Sequence, residues 1–339
     1  MKAKKRLFYL DFIRTIAMII VVSYHFFVHI NSNNINPITN FLSNSKWGII
    51  GVTIFFILSG LSLTYVYDKK LDIKGYYKKR FLSIYPLFWI VYITFFSIIF
   101  IENGAFIWNT QKWVLIFSVL GIDGYVFGIK TAYIVGEWFL GCLVILYIIY
   151  PFILKAVKKY PKSVFIIISF IYLLTIIFSK NLIMPISFNF FVQLYLFIIG
   201  IYIAIYGCDI KWWQSIIALI ICICLFIIPD FNANYTVLFA NVIGLLLFIS
   251  LKFLSDFVKN NHIRYAVKNL SHDSYAIFLV HHVIILKLIT YFFAKQMTIF
   301  DVLILYIISW MFIILIAKIF LFVKDKIMDY INASKEYEE

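Results

Sequence analysis

Runs of about 17–25 apolar residues, each long enough to cross a hydrocarbon layer of roughly 30 Å as a helix, follow one another through almost the whole chain. They cover approximately residues 8–30, 47–67, 81–102, 133–154, 163–179, 187–206, 212–229, 234–254, 272–294 and 299–322. A spanning segment must satisfy its own backbone groups, and a helix does so internally. The expected fold is therefore all-α: a polytopic membrane bundle of about ten transmembrane helices. It would form a single domain over residues 1–339, with a short cytoplasmic tail at 323–339. Composition agrees, since 64% of residues are hydrophobic and 14% charged, too little polar surface for a soluble fold of this length.

The net charge of +14 would point toward nucleic acid in a soluble protein. Here the basic residues fall between apolar runs, and no basic–aromatic groove is recognisable, so membrane topology accounts for them better. With the N-terminus inside and the runs alternating, the inner side receives Lys2, Lys4, Lys5 and Arg6, then Lys69, Lys70, Lys74, Lys78, Lys79 and Arg80. It also receives Lys155, Lys158, Lys159 and Lys162, then Lys211, Lys252, Lys259, Arg264 and Lys268, and finally Lys318, Lys324, Lys326 and Lys335. The outer side holds only Lys46, Lys112, Lys130, Lys180 and Lys295. Both termini are thus expected in the cytoplasm. An eleventh crossing at 113–128, a short stretch interrupted by Gly121 and Gly124, would scramble this segregation, so it reads as interfacial or re-entrant. The N-terminal run resembles a signal peptide, but Arg14 interrupts it and no cleavage site follows, so a retained first helix is expected. The cysteines Cys142, Cys208, Cys222 and Cys224 have no spacing for zinc or a disulfide framework, and no bound metal or cofactor is expected.

Ionisable residues inside apolar spans are costly and point to function. The first run carries Asp11, Arg14, His25 and His29. Arg14 and His25 lie three turns apart, about 16 Å along a helix, and the one-turn spacings of Asp11 and His29 put all four on one stripe. Such a stripe would face a polar cavity; the plainer reading pairs Asp11 with Arg14 at the interface and gives His25 a neighbouring helix as partner. The ninth run, SHDSYAIFLVHHVII from Ser271, places His281 and His282 about 12–15 Å into a helix capped by Ser271 or Asp273. Adjacent residues point about 100° apart, so one of the two would share the cavity of His25. In KGYYKKRFLSIYPLFW, residues 74–89, Arg80 lies at a helix entry and Pro86 suits a first turn or a kink. Taken alone, Arg80 is better explained by snorkelling to the inner surface. Glu137 opens the fourth run, where a carboxylate also suits the helix dipole.

These residues are where the chain resembles the acyltransferase 3 family of integral membrane acyltransferases, which includes O-antigen and surface-polysaccharide acetylases. LDFIRTIAMIIVVSYHFF (10–27) is similar to the family's first helix, with Arg14 and His25 at its characteristic gap. GVTIFFILSG (51–60), ending in Ser59 and Gly60, resembles the second-helix signature, and KRFLSIYP (79–86) the entry to the third. SYAIFLVHH (274–282) resembles the late motif, with His281 at the family position; WFLGCLVILYIIYP (138–151) is a weaker match. A second arginine common three residues after Arg80 is Ser83 here, and an acidic residue of the fourth span is replaced by Leu143 and Val144. The match is to the stand-alone type, without a C-terminal esterase-like domain.

The resemblance implies transfer of an acyl group, most simply acetyl, from cytosolic acyl-CoA to a sugar hydroxyl of a surface or lipid-linked polysaccharide at the bacterial plasma membrane. Neutral imidazole suits proton removal from a hydroxyl near pH 7, which makes His25 the expected base. Arg14 and Arg80 would hold the anionic parts of CoA. His281 would either position the acceptor or polarise the thioester, and Asp11, Ser59, Tyr85 and Glu137 would support the site. The partners implied are acyl-CoA, the glycan acceptor, the lipid bilayer and proteins of glycan assembly, with no nucleic acid. A polysaccharide flippase or other transporter also needs buried charge, though the broken or paired halves usual for one are not seen. A non-catalytic membrane subunit of a glycan assembly complex stays open as well.

Overall fold

The computed structural model describes residues 7–31, 37–103, 112–126, 135, 137–179, 182, 184–207, 210–227, 233–292 and 297–336. Lys2, Lys4, Lys5, Arg6, Lys130, Lys180, Lys295 and Cys208 lie outside them, as do the side chains of Lys112, Glu137 and Lys335. Among the described residues there is no strand, and the α-helices are α1 (Phe8–Asn31), α2 (Pro37–Leu42), α3 (Ser45–Tyr67), α4 (Ile73–Asn103), α5 (Leu115–Val119) and α6 (Glu137–Lys159), then α7 (Pro161–Ile177), α8 (Phe190–Tyr206), α9 (Trp212–Ile227), α10 (Ala233–Leu254), α11 (Asn261–Phe292) and α12 (Ile299–Glu336).

Seven segments, formed by α1, α2 with α3, α4, α6, α10, α11 and α12, are long and apolar enough to cross a membrane. The helices α7, α8 and α9 are apolar but shorter, at 17, 17 and 16 residues; a rise of about 25 Å still approaches the hydrocarbon thickness. Together they correspond one for one with the apolar runs of the sequence. The polytopic helical membrane protein expected from composition is what the chain forms. In α12 the apolar residues Ile304, Ile307, Met311, Leu315, Ile319 and Phe322 are exposed at helical spacing, whereas Val302, Leu305, Ile313 and Ala317 are buried. A stripe of that length in water would aggregate, and lipid is its natural solvent.

Local chemistry sets the ends of the helices. Pro161 opens α7, where a missing N–H costs nothing. Asn189 accepts from the Phe191 N–H at 2.9 Å to cap α8, which stops at Gly207 with φ +79°. Thr298 and Asp301 exchange hydrogen bonds as a capping box before α12.

Two starts differ from the sequence reading. The helix bearing the late histidines begins at Asn261 rather than near Ser271, because Asn260 caps it, accepting from the His262 and Ile263 N–H groups at 2.8 and 3.2 Å. Likewise α4 begins at Ile73, so Arg80 sits within the helix rather than at its entry, and Pro86 is interior rather than in the first turn. In both cases a polar, lysine-bearing extension continues the helix beyond the apolar run.

The chain divides into two compact units. One holds residues 1–24, 44–73 and 142–272; the other holds 25–43, 74–141 and 273–339. In the first, α3 and α8 cross closely at Gly60 and Gly200: an added Cβ would lie 2.0 Å from the Phe197 carbonyl oxygen and 2.0 Å from that of Ile57, respectively. Beside this crossing a buried polar chain runs from Thr53, which donates to Asn241 at 2.8 Å, to Tyr172, which accepts from the Asn241 amide at 3.1 Å. In the second unit, Phe27 stacks on Tyr306 and Phe95 meets Phe320 edge-on.

The stretch 113–128 falls in the second unit, and its described residues form the five-residue helix α5 between 3-10 turns at Lys112–Val114 and Asp123–Tyr125; residues 127 and 128 lie outside the described set. The Trp89 indole N–H donates to the Val119 carbonyl at 2.8 Å and the Tyr85 hydroxyl to that of Leu120 at 3.0 Å. These contacts lie about 20–27 Å back from the end of α4. Residues 119 and 120 therefore lie beside the middle of α4.

Candidate active site

In the first unit, Asp11 is 2% exposed and accepts a hydrogen bond from the Ser271 hydroxyl at 2.8 Å. One turn on, Thr15 donates to the Val267 carbonyl at 3.1 Å. These bonds tie the start of α1 to α11 through the same Ser271 that the sequence suggests as a cap. Arg14 is half-buried, and its Nη2 donates to the Ser62 hydroxyl of α3 at 3.4 Å. The Ser59 hydroxyl donates to the Phe55 carbonyl of its own helix at 2.8 Å, a bond that turns it along the α3 backbone.

The second unit gathers four histidines. The His25 ring lies edge-on to both His281 and His282, with centroids 5.1 Å away in each case. Nε2 of His29 is 3.0 Å from Nε2 of His282. His281 is fully buried, and its Nδ1 lies 2.6 Å from the Phe278 carbonyl oxygen. A carbonyl can only accept, so Nδ1 carries a proton, and in the neutral ring Nε2 bears the lone pair. Phe278 packs on Phe139 of α6 at 5.2 Å, and Tyr275 donates to the Ile84 carbonyl of α4 at 3.2 Å, so α11 is held against α4 and α6 just where its histidines begin.

The other sequence candidates occupy the second unit too. Arg80 is half-buried in α4, and the Ser83 hydroxyl donates to its carbonyl at 2.9 Å. Tyr85 holds the segment at Leu120 through the bond described above, a role that sequence did not suggest. Glu137 starts α6, and its side chain lies outside the described residues. Both late histidines lie beside the His25 ring, where the sequence reading turned one toward it and the other toward a neighbouring helix. Sequence reasoning missed Ser62 and the buried part played by Ser271; the available signal was a hydroxyl in an otherwise apolar helix, which is too common to be specific.

A separate opening of about 450 Å³ in the first unit is lined by Tyr67, Asp68, Lys69, Pro151, Lys155 and Lys158, among others. Lys158 pairs with Asp68 at 2.9 Å, and the remaining lysines leave the rim positive. Sequence reading took these lysines as topological charges alone.

A protein-family model described as an acyltransferase domain matches residues 7–323. No curated protein and no solved structure matches the chain.

Proposed function

From the premise that the chain belongs to this acyltransferase family and is a multi-pass membrane acyltransferase, we propose that it transfers an acyl group, acetyl in the simplest case, from cytosolic acyl-CoA to a hydroxyl of a surface or lipid-linked polysaccharide at the bacterial plasma membrane. The observation that carries the proposal is the convergence of His25 with His281 and His282 from two apolar helices. Ionisable groups at that depth are otherwise a burden.

In this reading the acceptor oxygen attacks the thioester carbonyl carbon as His25 takes the hydroxyl proton. A C–O bond forms, the C–S bond breaks, and the proton passes from His25 to the departing CoA sulfur. His281 has its lone pair at Nε2 and so suits accepting from the acceptor hydroxyl more than donating to the thioester oxygen. It is assigned to positioning the acceptor. Arg14 and Arg80 bind the anionic parts of the donor, guanidinium being well matched to phosphate. Asp11 buttresses the base of α1 through Ser271, and Tyr85 fixes the segment after α4.

The test is incorporation of label from acetyl-CoA into membrane glycan by vesicles carrying wild type or His25→Ala. Loss of the base should lower the rate by roughly 10²–10⁴-fold, with the melting behaviour of the purified variant unchanged. An undiminished rate would remove His25 from the chemistry. Glycan movement across the membrane without acyl transfer would remove the reaction itself from the reading.

A further inference from the structure

Three of the four clustered histidines have a second property, independent of acyl transfer. His25, His29 and His282 place one ring nitrogen each within 4.8 Å of one another. His25 and His29 are separated by one helical turn on the same face of α1, the spacing at which two side chains can reach one ligand. The third comes from α11, which anchors the set across two helices. All three rings are part-buried.

Their geometry is close to that of a ligand set. Around a tetrahedral Zn²⁺ with Zn–N bonds of about 2.0–2.1 Å, neighbouring nitrogens lie roughly 3.3 Å apart. The His29–His282 pair is already at 3.0 Å, and the third nitrogen has at most roughly 1.5 Å to close. Among the described residues, no carboxylate or thiolate joins the group. An all-imidazole set favours a borderline transition metal over Mg²⁺ or Ca²⁺, and three protein ligands leave the fourth position open.

We propose that His25, His29 and His282 form a three-imidazole site for a divalent transition metal of the zinc class. An imidazole bonded through its lone pair to a metal ion has none left to accept a proton. Where the site meets the function proposed above, then, the two uses of His25 exclude each other, and metal occupancy arrests transfer.

The full chain in lipid nanodiscs, stripped with EDTA, is titrated with Co²⁺ as a visible probe of four-coordination and then with Zn²⁺ in competition. One equivalent should bind. His29→Ala and His282→Ala should each weaken binding at least tenfold, while His262→Ala and His272→Ala, which remove exposed imidazoles, should bind as wild type; melting curves establish that all four fold. Absence of stoichiometric binding, or binding unaffected by His29→Ala and His282→Ala, would overturn the site. The failures remain separable, because Zn²⁺ that binds through these residues and leaves transfer undiminished would sink the base role of His25 and leave the metal site standing. Zn²⁺ that binds and lowers transfer at least tenfold, reversed by EDTA, is the result expected.

Discussion

A carboxylate as deeply placed as Asp11 depends on the donors around it, because an apolar surround offers no water to replace them. The Ser271 hydroxyl is one such donor. Ser271→Ala should therefore destabilise the protein by roughly 1–3 kcal/mol, read as a lower melting temperature in detergent, while Ser271→Thr keeps the hydroxyl and most of the stability. Arg14→Lys retains the charge but loses the planar fork. It should raise KM for acyl-CoA about tenfold, the worth of roughly one lost charge-assisted bond, with a smaller effect on kcat. At this scale the sequence conveys residue types and helical spacing well: His25 and His29 are readable as neighbours from their one-turn separation. It does not convey which of the adjacent His281 and His282 faces them, because that depends on how α11 is rotated against α1. The answer, that the His25 ring meets both, comes from packing alone.

Between elements, the crossing of α3 and α8 depends on hydrogen atoms at Gly60 and Gly200. Gly200→Val would drive a methyl-bearing carbon into the Ile57 carbonyl, a backbone group that cannot swing aside. Loss of monodisperse folded protein is expected. Gly207→Ala meets nothing within 4 Å, but φ +79° with ψ 173° is a backbone region essentially reserved to glycine, and a cost of about 1–3 kcal/mol is expected, read as a lower melting temperature. The segment around α5 offers a second test. Trp89→Phe removes the donor to the Val119 carbonyl, and Tyr85→Phe removes that to Leu120. The double variant should expose residues 112–126 to protease while the remaining bundle stays resistant. The apolar runs located the helices but not all of their ends. Hydrophobicity falls off where α4 and α11 leave the hydrocarbon, yet helical hydrogen bonding does not, so Ile73 and Asn261 begin these helices well before their apolar runs. The one strong local signal was Asn260, a capping residue at the foot of a lysine-bearing stretch.

Over the whole molecule, apolar run length and composition were sufficient to read a polytopic helical bundle, because lipid demands continuous apolar helices and little else. They could not indicate that the chain falls into two units, a division set by contacts between distant segments. The orientation expected from lysine and arginine can be checked with a membrane-impermeant thiol reagent in intact cells. Lys112→Cys should label from outside and Lys259→Cys only after the membrane is opened, in a background where Cys142, Cys208, Cys222 and Cys224 are replaced. The opposite pattern would invert the assignment. Within the first unit, Lys69→Ala combined with Lys155→Ala tests whether the basic opening helps to gather the donor: KM for acyl-CoA should rise several-fold with kcat preserved.

The position of residues 112–126 beside the middle of α4 bears on parity. A segment that re-emerges on the side from which it entered adds nothing to the count of crossings. It can lengthen, shorten or vanish while every downstream helix keeps its direction, whereas removal of any single spanning helix would reverse all that follow. Were residues 113–128 to return in this way, as the distribution of lysine and arginine leads one to expect, that stretch could change size without turning the remainder inside out.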